Sequence, residues 1–194
     1  MSKVKQICYT IDMKRWEMVQ QAALGSHGVI TFAQAKSMGV FPTEIYRWCK
    51  AGRMIRVARG VFRLTTYPSQ GVVSDMAALL ASVGEGSYLY GESALGFLNL
   101  CPTRSYVAVV ASPSRVRRRL DKGVQVVKAE DGYRPYYHDG IACQRPDDAI
   151  RSSIGVMETG RLLGAVDEAE RQGYFTADEA DALRKELNNG KASA

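Results

Sequence analysis

The sequence predicts an α+β protein in two parts, and three observations carry that expectation. Helical patterns and a two-stranded hairpin follow one another over residues 12–64. A seam rich in turn formers, TTYPSQG at 65–71, comes next. Helices then interleave with short apolar strands through the remainder. The expected domains are residues 1–67 and residues 72–194, the second a small mixed α+β domain with closing C-terminal helices. At 194 residues and 46% hydrophobic content, the chain has enough apolar surface for a core in each.

Residues 12–24, DMKRWEMVQQAAL, place Met13, Trp16, Val19 or Gln20, Ala23 and Leu24 near helical spacing, and Gly25 stops that helix. Ser26-His27-Gly28 reads as a loop. Thr31 followed by Gln34 is a capping-box pattern, which opens a short helix ending at Gly39. In PTEIYRWCKAG, Pro42 stands at the first helical position and Gly52 just past the last. Ile45, Trp48 and Cys49 share one face of this helix, while Thr43, Tyr46, Arg47 and Lys50 lie mostly on the other. GRMIRVARGVFRL then reads as a hairpin, with strands near 54–57 and 61–64 around Ala58-Arg59-Gly60. Helix, helix, tight turn, helix and hairpin is the order of a winged helix-turn-helix.

Beyond the seam, VVSDMAALLASVG is helical, and YLYGESALGFLNL contains a short helix opened near Gly91 or Ser93. YVAVVAS (106–112) is an apolar strand, and SRVRRRL (114–120) is a basic turn or short helix. VQVVKA, YRPYYHD and GIACQR are three further strands. Helical patterns return in DDAIRSSIG, TGRLLGAVDEAERQG and TADEADALRKEL, the last opened by a capping box of Thr176 with Glu179. The terminal NNGKASA is expected to fray.

The net charge of +6 conceals an asymmetry. Residues 1–67 hold 11 Lys and Arg against three Asp and Glu, a net of +8, and the remainder holds 15 against 17, a net of −2. Such an excess points to a polyanion partner for the first domain, the alternative being a solvated basic surface. A short helix with Thr, Tyr, Arg and Lys outermost suits a major groove, where Arg and Lys donate to guanine O6 and N7. The hairpin arginines Arg53, Arg56, Arg59 and Arg63 are surplus to folding, and a wing contacting the DNA backbone explains them. Arg115, Arg117, Arg118 and Arg119 form either a solvated turn or additional phosphate contacts.

Signatures of catalysis are missing. There is no GxxxxGK[ST], GxSxG or HExxH, and two histidines, His27 and His138, are too few for a histidine-based metal site. Cys8, Cys49, Cys101 and Cys143 lie far apart with no CxxC pair, so neither zinc nor disulfides are expected. Asp147-Asp148 has no Glu-x-Lys partner downstream, and Asp147 reads as a helix N-cap. The acidic residues Asp167, Glu168, Glu170, Asp178, Glu179 and Asp181 form the solvent face of amphipathic helices. No cofactor or metal is expected. With no long apolar run and no apolar stretch at the N-terminus, a membrane span and a signal peptide are not expected, and a cytoplasmic protein is.

The stretch GVITFAQAKSMGVFPTEIYRWCKAGRMIRVARGVFRL resembles the N-terminal winged helix of AbiEi antitoxins, which runs into a GR-apolar-x-R-x-x-x-G-[VI]-[FY] wing. YGESALGFLNL with Pro102, and strand 106–112 with its Arg-rich turn, are similar to the start of that family's C-terminal domain. The resemblance spans roughly residues 18–187. It implies a non-enzymatic component of a type IV toxin–antitoxin system linked to phage defence. Such a protein represses its own promoter at inverted repeats and counteracts a nucleotidyltransferase-like AbiEii toxin. By position, the recognition role falls on Thr43, Tyr46, Arg47 and Lys50, and the wing role on Arg53, Arg56, Arg59 and Arg63. Family members often carry a Ser or Thr cap and basic residues in the first turn of the recognition helix. Phe41, Pro42 and Thr43 stand there in this chain, which shifts the burden of contact to Arg47, Lys50 and the wing. A monomer or weak dimer is expected, cooperative on DNA. Two alternatives are a winged-helix regulator with a ligand-sensing or dimerisation domain, and a nuclease using Asp147 and Asp148.

Overall fold

The computed structural model describes residues 3–67, 71–102 and 107–190. The chain divides into two compact units, residues 1–84 and 85–194.

In the first unit, α1 (Lys3–Leu24) leads into β1 (Val29–Thr31), α2 (Phe32–Ser37) and α3 (Pro42–Lys50). The hairpin strands β2 (Met54–Ala58) and β3 (Val61–Leu64) follow, then α4 (Val72–Val83). The local signals act as expected. Thr31 caps α2 through its hydroxyl, which accepts from Gln34 N–H at 3.2 Å, and the Gln34 side chain accepts from Thr31 N–H at 2.8 Å. Pro42 opens α3, and Gly52 leaves it in the left-handed region at φ +72°.

Two elements depart from the sequence reading. β1 is an additional three-residue strand that pairs antiparallel with β3, giving the order β1-β3-β2. The helix over 72–83 forms as expected but packs on β1, β2 and β3, so it belongs to the first unit and not the second. The sheet is thereby covered on both sides. Ile30, Phe62 and Leu64 face Val19, Ala23, Ile45 and Trp48 in one core, while α4 covers the opposite face. The largest fully buried side chain in this core is Trp48, packed edge-on against Trp16 with ring centroids 5.1 Å apart. Burying a side chain of that size contributes about 2–3 kcal/mol. Its indole N–H is buried without a hydrogen-bond partner among the described residues, which offsets part of the gain.

The second unit contains β4 (Tyr88–Leu89), α5 (Glu92–Phe97), β5 (Ala108–Ser112), β6 (Val124–Lys128), β7 (Tyr136–His138), β8 (Ile141–Cys143), α6 (Pro146–Ser152), α7 (Thr159–Arg171) and α8 (Ala177–Gly190). Its five-stranded mixed sheet runs β6-β5-β4-β8-β7, with β5–β6 and β4–β8 parallel. β4, only two residues long, lies at the centre of the sheet, a place the sequence reading had not provided for. The amide oxygen of buried Gln144 accepts from Gly91 N–H at 2.7 Å and from the Ser152 hydroxyl at 2.9 Å. One side chain thus fastens the start of α5 and the end of α6 to β8.

Residues 113–120 form an irregular loop with no helix. The capping box at Thr176 is present, with Glu179 accepting from Thr176 N–H at 2.8 Å. Arg145, not Asp147, is the N-cap of α6; Pro146 takes the first helical position and pushes Asp147 into the first turn. α8 continues through Gly190, so Asn188, Asn189 and Gly190 are helical, and residues 191–194 lie outside the described residues. Residues 68–70 of the seam and Tyr106 of the expected strand lie outside them too.

Gly28, between α1 and β1, has φ +78°, and a Cβ there would lie 2.5 Å from Cγ of Tyr67. Gly28→Ala combines backbone strain with a steric overlap, and a loss of about 2–4 kcal/mol is expected. Denaturant unfolding of the variant measures it, and an unchanged midpoint would contradict the geometry.

Candidate nucleic-acid interface

The orientation of α3 follows from its 3.6-residue period. Ile45 and Trp48 are each 2% exposed, so the opposite side faces solvent. Thr43, Tyr46, Arg47 and Lys50 are all exposed, Tyr46 at 61%. The structure therefore brings these four side chains onto one outward surface.

α1 grips this helix from behind. Arg15 pairs with Glu44 at 3.0 Å, and its guanidinium lies 5.3 Å from the centre of the Phe41 ring. The second Glu44 oxygen accepts from Phe41 N–H at 2.8 Å. Phe41 has no side-chain acceptor to cap α3, and Glu44 supplies the missing hydrogen bond in the reverse direction. One turn earlier on α1, Asp12 accepts a hydrogen bond from Nη2 of Arg47. The sequence reading did not single out Asp12 or Arg15. A visible signal was the acidic, basic and aromatic series 12, 15 and 16 preceding Val19 on one helical face.

The four arginines of the hairpin separate into different environments. Arg59 occupies the turn and is exposed, with Gly60 beside it at φ +76°. Arg56 is exposed on β2, its Nε donating to the Ala58 carbonyl at 3.3 Å. A β-bulge between Arg56 and Ala58 bends the strand leading to the tip. Arg53 lies over the Trp16 ring, 5.3 Å from its centroid, and remains open to solvent. Arg63 differs from these three. It stands on the α4 side of β3, where its guanidinium donates to Ser74 at 3.4 Å and to Asp75 at 3.3 Å. Its side chain is only 19% exposed. The sheet's alternation is the cause: Val29, Ile55 and Arg63 pair across the three strands and share the face that α4 covers. In this placement Arg63 ties β3 to α4.

In the second unit, Arg115, Arg117, Arg118 and Arg119 are exposed in the loop between β5 and β6, and none has an ion-pair partner among the described residues. The acidic pair is occupied. Asp148 accepts from the Tyr133 hydroxyl at 2.9 Å, and Asp147 pairs with Arg151 at 3.0 Å and Arg145 at 3.7 Å. Burial, with a smaller contribution from Asp148, raises the Tyr133 hydroxyl well above its ordinary pKa. Burial likewise pushes the Cys143 thiol up to about 12, far from a reactive thiolate. Cys49, Cys101 and Cys143 are free thiols. Among the described residues, no group of three or more His, Cys, Asp or Glu is arranged to hold a metal ion, and no helix is long and apolar enough to cross a membrane.

Three helices, a three-stranded sheet that includes the β2–β3 hairpin, and a basic outward helix face define the winged helix-turn-helix class of DNA-binding regulators. Residues 17–65 match the family described as a transcriptional regulator, AbiEi antitoxin. The match begins on α1 and ends one residue past β3. No curated protein matches the chain.

The separation of the arginines has a measurable consequence. Arg63→Ala should lower unfolding stability by about 1–2 kcal/mol, because it leaves a half-buried site between β3 and α4 without its hydrogen bonds. Arg59→Ala should stay within about 0.5 kcal/mol. Thermal melts of both variants provide the comparison, and equal effects would refute the assignment.

Proposed function

We propose that this protein is an antitoxin that binds double-stranded DNA by laying α3 in the major groove and the β2–β3 wing on the flanking backbone. The target is an inverted repeat in its own promoter, which it represses. The outward face of α3 carries this reading: four groove-compatible side chains, all exposed, on a segment of net charge +8. A nine-residue helix is about 13 Å long, comparable with the roughly 12 Å width of the groove. Arg47 and Lys50 reach base edges, with Thr43 and Tyr46 at the groove wall, and Arg53, Arg56 and Arg59 meet phosphates.

The second unit counteracts an AbiEii-type, nucleotidyltransferase-like toxin. Its Arg115, Arg117, Arg118 and Arg119 loop adds phosphate contacts. The protein has no catalytic function, acts in the cytoplasm, and is a monomer or weak dimer that binds cooperatively on the repeat. The tie between Asp148 and Tyr133 favours a structural role for that carboxylate over the nuclease alternative.

With about six phosphate contacts, log K against log salt concentration should have a slope of roughly −5 on the upstream region. A slope near zero, or no binding there, would overturn the reading. Arg47→Ala should relax base preference and cost about 1–3 kcal/mol on the repeat. Arg59→Ala should instead weaken binding to all duplexes about equally. Equal losses on every duplex from both variants would show that α3 does not read bases.

A further inference from the structure

α1 meets α3 through side chains one helical turn apart, and the Asp12–Arg47 contact has a geometry that the others lack. Glu44, the carboxylate paired with Arg15, is only 12% exposed and serves the start of α3. In both pairs the carboxylate is the inner member, but the Asp12–Arg47 pair lies further out: Asp12 is 28% exposed and Arg47 59%, against 28% for Arg15. Arg47 is thus tethered at one nitrogen, and among the described residues the rest of its planar set of donors has no partner. Lys50, on the same surface, has no ion-pair partner among the described residues.

An untethered arginine on a protein surface samples many rotamers and is drawn to any phosphate within reach. A carboxylate bonded to the guanidinium restricts those rotamers and cancels its charge locally. The side chain then gains little from a phosphate and keeps the fork that matches guanine O6 and N7. An ion pair this exposed adds little to stability, so its chief effect is on where the guanidinium points. We infer that Asp12 is a positioning residue for base recognition: it holds Arg47 as a donor to a guanine edge and withholds it from phosphates. The inference rests on the DNA-binding reading given above.

The test uses the full chain as wild type, Asp12→Asn, Asp12→Glu, Arg47→Ala and the Asp12→Asn/Arg47→Ala double variant. Preferred sequences are selected from a pool of randomised duplexes. Affinity is then measured on the selected duplex, its single-base-pair variants and a scrambled duplex across a salt series. Wild type should discriminate about tenfold or more at the base pair that Arg47→Ala renders indifferent. Asp12→Asn should lose most of that discrimination at the same position, with no further loss in the double variant, and Asp12→Glu should restore part of it. Asp12→Asn should also bind the scrambled duplex more tightly, with a salt slope steeper by about one, because Arg47 then reaches a phosphate.

If wild type selects a sequence and Asp12→Asn shows the same base profile, Asp12 is only a tie between helices. A uniform loss at every position together with a lower melting temperature leads to the same conclusion. Either result overturns the inference and leaves DNA binding standing. A wild-type chain that selects no sequence removes both.

Discussion

The burial of Trp48 is the constraint on which the first unit depends. Trp48 and Ile45 are three residues apart on α3, and placing both in the core fixes the rotation of the helix about its axis. Trp16 meets Trp48 from α1, Met54 and Leu64 meet the same core from the hairpin, and Val19 and Ala23 complete it. Once that contact is made, the outward placement of Thr43, Tyr46, Arg47 and Lys50 follows without any further interaction. The outward surface of α3 is the complement of the packed one.

Charge on this unit is divided between holding the fold and facing solvent. Of the three acidic residues in 1–67, two are paired with basic side chains at the α1–α3 junction: Asp12 with Arg47 and Glu44 with Arg15. Asp75, on α4, takes Arg63 in the same way. The net charge of +8 over residues 1–67 therefore understates how unevenly the positive field is spread. Arg56, Arg59 and Lys50 have no acidic partner among the described residues, and Arg53 faces an aromatic ring. The wing tip and the end of α3 are where uncompensated charge collects.

The acidic groups of the second unit are similarly committed. Arg184 gathers Asp167 at 2.7 Å, Asp181 at 2.8 Å and Glu170, binding α7 to α8. Hydrogen bonds from Arg171 and Gln172 pull Glu168 down to about 2. These carboxylates lie on the helical faces expected of them, but several act as ties between helices as well as solvating them. The four arginines of the β5–β6 loop have no ion-pair partner among the described residues, and they form an exposed positive feature of this unit.

The sequence by itself determined the elements whose signals are local. The Thr31 and Thr176 capping boxes, Pro42 at the start of α3, Gly60 in the hairpin turn and the two faces of α3 depend on residues within one or two turns of each other. Local chemistry is enough to specify them. Only the tertiary structure decided β1 and β4, because strands of three and two residues are too short to show a period and exist through pairing with distant partners. It also decided that α4 completes the first unit, that Arg63 is turned toward α4, and that Asp12 and Arg15 support α3. Those outcomes depend on which faces meet in space, and a side chain's partner 11 to 35 residues away leaves no mark on its immediate neighbours.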